Sequence, residues 1–303
     1  MELTDHHRQA FVEQGYVVVE GALSDNDLQP VIDDYSEIID GIAKKLYSEG
    51  RISGLYEDEP FDTRLARICD EDEKTYFESD EYLDIGQMRK RGTFNFMSNT
   101  NLLDLVEGFI GPEIQCNSIS HIRAKLPSDE SQKKESNIAG WHQDAIFTTP
   151  EARDLFVLTV WLPLNEATAE NGCLQVGPGV HKSEVVYWGF NSQPEHESVT
   201  VPMRKGDVIF IHKLCPHGSG ANQTDGIRWS MDLRYQIAGT PSPRPEWPSL
   251  VARSRANADS LTTYEEWAAA WKSGLEKHPK KVGYSRPNEP TPFGGPMYPW
   301  MNG

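Results

Sequence analysis

Short β-rich segments separated by turn-forming residues dominate the second half of this chain, and they constrain its fold more than any other feature. Turns are marked by Asn-Gly at 171–172, Pro-Gly at 178–179 and Gly-Asp at 206–207. Many short strands with regular turns are typical of a β-sandwich or barrel. We therefore predict a mainly β fold with flanking helices and a jelly-roll core. The predicted strands in this half cover residues 156–162, 173–176, 199–203, 208–212 and 228–236.

A further extended segment is predicted over residues 114–126, ahead of the strand-rich half. One face would carry four polar side chains, an unusual pattern for a buried strand. These residues are Asn117, His121, Arg123 and Lys125. The face is either solvated or forms the polar wall of an active-site cavity, and both interpretations stay open. The polar stretch 127–140 is either a lid beside a site or an exposed connection.

The first helix and a later apolar stripe are the clearest helical signals in the N-terminal part. Thr4 is a suitable N-cap for a helix that ends at Gly15, before a strand at 16–19. A second helix is indicated by apolar residues at helical spacing, closed by the Gly-Pro pair at 111–112. Its apolar residues are Leu102, Leu103, Leu105, Val106 and Phe109.

A long helix is expected between these two, but its start is ambiguous. Ser24 and Asp27 form a capping-box pattern. Pro30 nevertheless predicts that the long helix begins near the proline and continues to about Ser48. Residues 50–90 are acidic and weakly periodic, and we assign them only to helices and loops.

One more helix is predicted near the C-terminus. Its cap is Thr262 or Thr263, and Trp267, Trp271 and Leu275 follow at spacings of four residues. Residues at this spacing share one face of a helix. We expect this apolar stripe to dock against the barrel.

No linker or internal repeat interrupts the chain, so we expect a single domain over residues 1–303. It would comprise a helical N-terminal region (1–112), a jelly-roll core (about 113–240) and a C-terminal helix with a Pro/Gly-rich extension (241–303). The last residues, 287–303, should be irregular because of their proline and glycine content.

Composition restricts the partners. The formal charge of −17 argues against nucleic acid and anionic membrane surfaces as partners. No apolar run reaches the length of a membrane span, and the N-terminus lacks the build of a secretion signal. These features favour a cytoplasmic protein with a small-molecule partner, and they do not indicate an oligomeric state.

The cysteines indicate a reducing compartment. Cys69, Cys116, Cys173 and Cys215 show neither CxxC pairing nor zinc spacing. Unpaired thiols of this kind are typical of the cytosol. Cys215 lies two residues before His217, but we expect it to be a small buried apolar residue.

The segment His142-Gln143-Asp144 carries the first sign of chemistry. If it is extended, the imidazole and the carboxylate point to the same face, since side chains alternate along a strand. With a second histidine from elsewhere they would form the two-histidine, one-carboxylate arrangement of non-heme Fe(II) oxygenases. Taken alone, a His-x-Asp pair can also be an ordinary solvated pair.

Several motifs follow this pair in a fixed order. They are Thr159-Val160-Trp161-Leu162-Pro163-Leu164, Glu170-Asn171-Gly172-Cys173-Leu174, Pro178-Gly179-Val180-His181, Lys205-Gly206-Asp207-Val208-Ile209-Phe210 and Pro216-His217-Gly218-Ser219, with Arg228 beyond. Over roughly residues 4–236 this order resembles the phytanoyl-CoA dioxygenase family of Fe(II)/2-oxoglutarate oxygenases. Val180 stands at a position where that family usually has serine. We expect this difference to be structural and harmless. The resemblance implies that the jelly roll is a double-stranded β-helix of the cupin-like kind.

The resemblance also implies a catalytic metal site of His142, Asp144 and His217, which would bind Fe(II). Arg228 would bind the distal carboxylate of 2-oxoglutarate, because a guanidinium group pairs bidentately with a carboxylate. Side-chain alternation places Ser230 on the same strand face as Arg228. An ion pair at the surface is the alternative role for this arginine.

Further pocket residues are expected around the cosubstrate. Ser219 and Trp161 would border 2-oxoglutarate by resemblance, and His121 is a possible pocket residue. His181 is more simply a turn residue than a metal ligand.

The implied function is a 2-oxoglutarate-dependent non-heme iron dioxygenase that uses Fe(II), 2-oxoglutarate and O2. It would hydroxylate an unactivated C–H bond of a small metabolite or natural product, with decarboxylation of 2-oxoglutarate to succinate. Asp144 stands where halogenating relatives have glycine or alanine, which favours oxygenation.

Several alternatives stay open. The same iron site could catalyse desaturation, epimerisation or cyclisation, or it could hydroxylate an acyl-CoA. The acidic chain shows no basic patch for CoA phosphates, which favours a free small molecule. The remaining hypotheses are a non-enzymatic binding module and a metal-dependent isomerase or hydrolase. The intact set of His142, Asp144, His217 and Arg228 argues against both.

Overall fold

The computed structural model shows a two-sheet antiparallel core with helices on one side. It describes residues 2–76, 83–128, 140–147, 152, 154–183 and 196–279. The helices are α1 Asp5–Gln14, α2 Asp25–Ser48, α3 Phe61–Glu71, α4 Ile85–Met88, α5 Arg91–Met97, α6 Thr100–Ile110 and α7 Tyr264–Lys277. The strands are β1 Tyr16–Val19, β2 Ile114–Cys116, β3 His121–Lys125, β4 Leu158–Pro163, β5 Leu174–Val176, β6 Val199–Val201, β7 Val208–His212, β8 His217–Ser219, β9 Arg228–Ile237 and β10 Leu250–Arg253.

Strand β9 is the centre of the larger sheet. It pairs with β4 along one side and with β2 and β3 along the other, always antiparallel. The larger sheet has the order β1-β7-β4-β9-β2-β10, and the smaller sheet has the order β6-β5-β8. This arrangement confirms the predicted mainly β class with flanking helices.

The two faces of the larger sheet have different partners. Val160, Phe210 and Leu233 belong to the core that the sheet shares with the helices. Trp161 and Ile211, their neighbours in sequence or register, belong to a second cluster shared with the smaller sheet. Successive residues of a strand point to opposite faces, so each strand contributes to both clusters. The helices therefore cover one face, and the space between the sheets lies on the other.

The first helix and α6 follow the sequence prediction, but α2 begins earlier than predicted. It starts at Asp25 and continues through Pro30. Ser24 and Asp27 form the capping box that opens it, and Leu28 is fully buried. The proline removes a single intrahelical donor. Capping and burial of the first turn stabilise the helix enough to accommodate that loss.

The predicted strand over 114–126 is two strands, β2 and β3, with a turn between them. The side chain of Asn117 accepts a hydrogen bond from the backbone N–H of Ile119 at 2.9 Å. The hydroxyl of Ser120 donates to the carbonyl of Asn117 at 3.0 Å. Such side-chain bonds compete with the strand ladder and favour a turn. Both strands still pair with β9.

Helix α7 carries the predicted apolar stripe, but it docks on helices rather than on the barrel. Thr263 caps it, and Trp267 and Trp271 are buried. Trp267 contacts Phe94 of α5 with ring centroids 5.4 Å apart. Trp271 lies against Gly86 of α4. The helical face of the sheet is already covered by the N-terminal helices, which leaves those helices as the docking surface.

Residues 129–139 of the predicted polar segment 127–140, and the whole of the predicted irregular segment 287–303, lie outside the described residues. All four cysteines are buried free thiols, as expected. In the described ranges, no helix has both the length and the apolar character to cross a bilayer.

Gly86→Ala should destabilise the protein by about 1–3 kcal/mol, because overpacking a filled core forces neighbours to move. A β-carbon at this position would lie 2.4 Å from ring atoms of Trp271. Urea unfolding measures the change. The matched control is Gly41→Ala in α2, where a β-carbon meets nothing within 4 Å. That variant should gain roughly 0.5–1 kcal/mol from helix propensity. Equal stability of the two variants would contradict the packing described for α7.

Candidate functional site

Three candidate metal ligands converge between the two sheets. One ligand atom from each of His142, Asp144 and His217 lies within 4.8 Å of the others. The Oδ1 atom of Asp144 is 3.6 Å from Nε2 of His142 and 3.9 Å from Nε2 of His217. The structure therefore brings together the pair that the motif predicted and the histidine that the resemblance supplied.

A short backbone ladder brings the two histidines together. His142 and His217 exchange both backbone hydrogen bonds, at 3.0 and 2.9 Å. This closed pair places their rings 4.4 Å apart. The expectation of a regular strand through Asp144 is wrong, because a 3-10 helix begins at Asp144 (Asp144–Phe147). The buried side chain of Gln143 donates to the carbonyl of Leu214 at 2.7 Å, which holds the turn against the β7–β8 connection.

Backbone carbonyls determine which nitrogen of each histidine is available. Nδ1 of His142 lies 2.7 Å from the carbonyl oxygen of Gly140, and Nδ1 of His217 lies 3.0 Å from that of Cys215. A carbonyl oxygen only accepts, so Nδ1 carries the proton in both rings. Each Nε2 is then left with a lone pair for a metal ion. Burial, followed by the neighbouring His142 ring, lowers the pKa of His217 to about 4, which keeps His217 neutral.

The carboxylate of Asp144 is held by groups that the sequence did not single out. Arg234 donates to it twice, from Nη2 to Oδ1 at 3.1 Å and from Nε to Oδ2 at 3.2 Å. The hydroxyl of Thr159 also donates to Oδ2. Burial alone would raise the pKa of Asp144, but Arg234 and the two imidazoles hold it well below the usual range. Asp144 is therefore an ionised ligand with a fixed orientation.

This ion-pair network extends toward the cavity mouth. Arg234 also pairs with Asp232, and Asp232 accepts a 2.8 Å hydrogen bond from Nε of Arg123. Burial opposes ionisation of Asp232, yet the two arginines lower its pKa well below the normal value. The one signal in the sequence was alternation, because Asp232 and Arg234 share the strand face of Arg228.

Arg228 lies in the same cavity but, unlike Arg234, forms no ion pair within the part of the chain that the structure describes. It is 2% exposed, and its Nε and Nη1 atoms have no hydrogen-bond partner among the described residues. The Ser230 hydroxyl, on the same face, is buried and likewise unpartnered. Burial, and then the charge of Arg123, lowers the pKa of Arg228 to about 9. A buried guanidinium without an anion is costly, so the arrangement favours a bound carboxylate.

One cavity joins these groups. It opens to solvent, and the space in it, including part of that solvent, is about 450 Å³. Its lining includes His142, His217, Arg228, Ser219 and Trp161. The Trp161 ring lies 5.3 Å from the guanidinium carbon of Arg228, within the range of a cation–π contact. Ser219 and Trp161 thus stand where the resemblance placed them, beside Arg228.

The four residues of the predicted polar wall lie in different surroundings. Arg123 lines the cavity, whereas Lys125 lies behind Ser219 and donates to its hydroxyl at 2.8 Å. Asn117 belongs to the β2–β3 turn. His121 lines a second cavity, with Trp247 and Trp271, rather than the cavity of the metal ligands.

His181 is a turn residue, as expected from its sequence context. It is buried in the 3-10 turn Val180–Lys182, and its Nε2 lies 3.1 Å from the carbonyl oxygen of Val12. It therefore helps to hold α1 and does not belong to the metal cluster.

Thr159→Val should weaken Fe(II) binding by about 10-fold, because groups that orient a metal ligand typically contribute this much. The substitution removes the hydroxyl that donates to Asp144 and retains the side-chain shape. Anaerobic competition titration against a chromogenic chelator measures the affinity. Thr93→Val is the matched control, since its hydroxyl donates to Asp34 far from the cavity. Unchanged affinity in Thr159→Val, or an equal loss in the control, would contradict the role of Thr159.

Comparison with known proteins finds dioxygenases among the relatives of this chain. Human peroxisomal phytanoyl-CoA dioxygenase is 26% identical over 254 residues, which cover 78% of this chain and 69% of that protein. A probable alpha-ketoglutarate-dependent hypophosphite dioxygenase from Stutzerimonas stutzeri is 25% identical over 272 residues, covering 84% of each chain.

Solved structures share the fold. The epimerase SnoN in complex with Fe3+, alpha ketoglutarate and nogalamycin RO gives a TM-score of 0.52 at 18% identity, covering 97% of this chain and 96% of that chain. EctD from S. alaskensis with 2-oxoglutarate and 5-hydroxyectoine gives a TM-score of 0.55 at 17% identity. The match covers 78% of this chain and 77% of that chain.

A sequence model of the family described as phytanoyl-CoA dioxygenase (PhyH) matches residues 11–230, a span that includes the three candidate metal ligands and Arg228. That span is well over half of the chain. This protein therefore belongs to the phytanoyl-CoA dioxygenase family.

Proposed function

We propose that this protein is an Fe(II)- and 2-oxoglutarate-dependent oxygenase that hydroxylates an unactivated C–H bond of a small molecule. The observation that carries the proposal is that one cavity brings together a candidate metal site and a candidate carboxylate site. Ligand atoms of His142, Asp144 and His217 lie within 4.8 Å of one another, and Nε and Nη1 of the buried Arg228 have no hydrogen-bond partner among the described residues. A metal ion would complete the first, and a carboxylate would complete the second.

The donor set fits ferrous iron. Two imidazoles and one carboxylate are the ligand set that suits the iron of non-heme Fe(II) oxygenases. Bound Fe(II) would supply the redox chemistry that couples decarboxylation of 2-oxoglutarate to oxidation of the substrate. The chain supplies the fixed orientation of Asp144 through Arg234 and Thr159. It also supplies the fixed tautomers of His142 and His217.

Arg228 would bind the distal carboxylate of 2-oxoglutarate. Its Nε and Nη1 donors are buried and have no hydrogen-bond partner among the described residues, and a charge-assisted bond is strong in a buried environment. Ser219 provides a hydroxyl group in the cavity lining, and Trp161 flanks the guanidinium. Ser230 lies on the same strand face as Arg228. Apolar residues such as Leu174 and Ile211 help to exclude water from this region. His121, which lines the other cavity, has no part in this arrangement.

The substrate we propose is a free small metabolite or natural product. Support comes from the acidic chain, whose charge of −17 disfavours the polyanionic CoA group. Curated relatives bear names as different as phytanoyl-CoA and hypophosphite dioxygenase. Product analysis distinguishes hydroxylation from desaturation, epimerisation or cyclisation, which need the same residues.

Four buried free thiols support a reducing, cytoplasmic location.

Arg228→Met should weaken 2-oxoglutarate binding about 100-fold, the size expected for the loss of two charge-assisted hydrogen bonds. The assay is an anaerobic titration of the Fe(II)-loaded protein, followed by the weak visible absorption of the iron–2-oxo acid chelate. Asp144→Ala should abolish Fe(II) binding and the absorption with it. Arg255→Met, which alters an exposed arginine paired with Glu107, is the control and should match the wild type. Iron binding without any chelate absorption in the wild type would refute the oxygenase assignment.

A further inference from the structure

Lys125 is a buried basic residue behind the cosubstrate cavity that the proposed mechanism does not use. It is fully buried on β3 and lies opposite Arg228 in the β3–β9 register. Its Nζ lies 2.8 Å from the Ser219 hydroxyl and donates to the Gly220 carbonyl at 2.5 Å. No carboxylate of the described residues forms an ion pair with it. Two basic side chains on neighbouring strands therefore lie opposite each other, and neither forms an ion pair within the described part of the chain.

The stem of Lys125 occupies a space that a glycine leaves open. A β-carbon at Gly172 would lie 2.9 Å from Cδ of Lys125. It would also lie 2.6 Å from the Gly220 carbonyl oxygen. The lysine is thus enclosed by the turn before β5 and by the end of β8. It reaches Ser219 from behind rather than from the cavity.

The hydrogen-bond chemistry fixes the direction of the Ser219 hydroxyl. When Lys125 is charged, its ammonium group has three donors and no acceptor, so Ser219 Oγ must accept from it. The proton of that hydroxyl is then available to donate elsewhere. Ser219 lines the cavity together with Arg228. An anion held by Arg228 is the acceptor that this proton would find.

We propose that Lys125 is a positioning residue that fixes the Ser219 hydroxyl as a donor to the distal carboxylate of 2-oxoglutarate. The inference rests on the proposed function of the cavity, because it requires that carboxylate to bind at Arg228. Lys125 then acts through Ser219 and contributes a second positive charge without touching the cosubstrate.

Proton uptake should accompany binding. Burial, then the charges of Arg228 and Arg123, lowers the pKa of Lys125 to about 6, and only Cys173 acts in the other direction. Without a bound anion, Lys125 is therefore mostly neutral at pH 7.5. A bound carboxylate favours the charged form, which raises the pKa and draws in a proton.

The test compares two 2-oxo acids on the Fe(II)-loaded protein, using anaerobic chelate titration. 2-Oxoglutarate carries the distal carboxylate and 2-oxobutyrate does not. Lys125→Met should weaken 2-oxoglutarate binding about 10-fold and change 2-oxobutyrate binding less than twofold, in line with one lost hydrogen bond near a charge. Lys125→Gln should recover part of the loss, because its amide can still donate to Ser219. It also carries the test if Lys125→Met does not fold.

A double variant tests the route through Ser219. Ser219→Ala should weaken 2-oxoglutarate binding, and adding Lys125→Met should cause little further loss, since the two residues act as one unit. Calorimetry at pH 7.5 in buffers of different ionisation enthalpy should show uptake of up to one proton in the wild type. Lys125→Met should show none.

The outcomes separate the two proposals. Unchanged 2-oxoglutarate affinity in Lys125→Met would overturn the inference while leaving the proposed function intact. An equal loss for both 2-oxo acids, or additive losses with Ser219→Ala, would assign Lys125 a merely structural role. If the wild type binds neither acid, the proposed function itself fails and the inference fails with it.

Discussion

The structure depends on the two-sided burial of strand β9. One face, with Trp229, Met231 and Leu233, packs in the core shared with the helices. The opposite face carries Arg228, Ser230, Asp232 and Arg234, and it too is buried. Buried charged side chains are tolerated only when they pair with an opposite charge or bind a ligand. The apolar face thus holds the strand in place while the polar face supplies most of the site.

Two arginines on this one face illustrate the distinction. Arg234 is fully engaged by Asp144 and Asp232, and it thereby fixes a candidate metal ligand. Arg228, six residues earlier, has donors without partners among the described residues. Both have the same chemistry and similar burial, so their neighbours alone decide which is structural and which is available. A strand with paired charges at one end and an unpaired charge at the other can anchor a metal and a cosubstrate at a fixed separation.

Much of this could be predicted from the sequence, because strand periodicity and the His-x-Asp motif are local signals. Strands β7 and β9 lie close to their predicted bounds. What failed depended on tertiary contacts. The start of α2 was decided by capping and by burial of Leu28, the break after β2 by Asn117, and the turn at Asp144 by Gln143. The partners of Asp144 were also missed, because Thr159 and Arg234 lie 15 and 90 residues away from it.

The turn at Gly172 has a consequence for sequence variation. Its φ of 77° is a left-handed conformation, in which asparagine is the usual substitute for glycine. Here that substitute is excluded, since any β-carbon would collide with two backbone carbonyls, those of Gly220 and Ala221, and with the lysine stem. Backbone carbonyls cannot rotate away as a flexible side chain can. Mutational tolerance at this position should therefore be close to zero, although the residue touches neither metal nor cosubstrate. Gly172 is therefore required both by the turn and by the shape of the cavity wall.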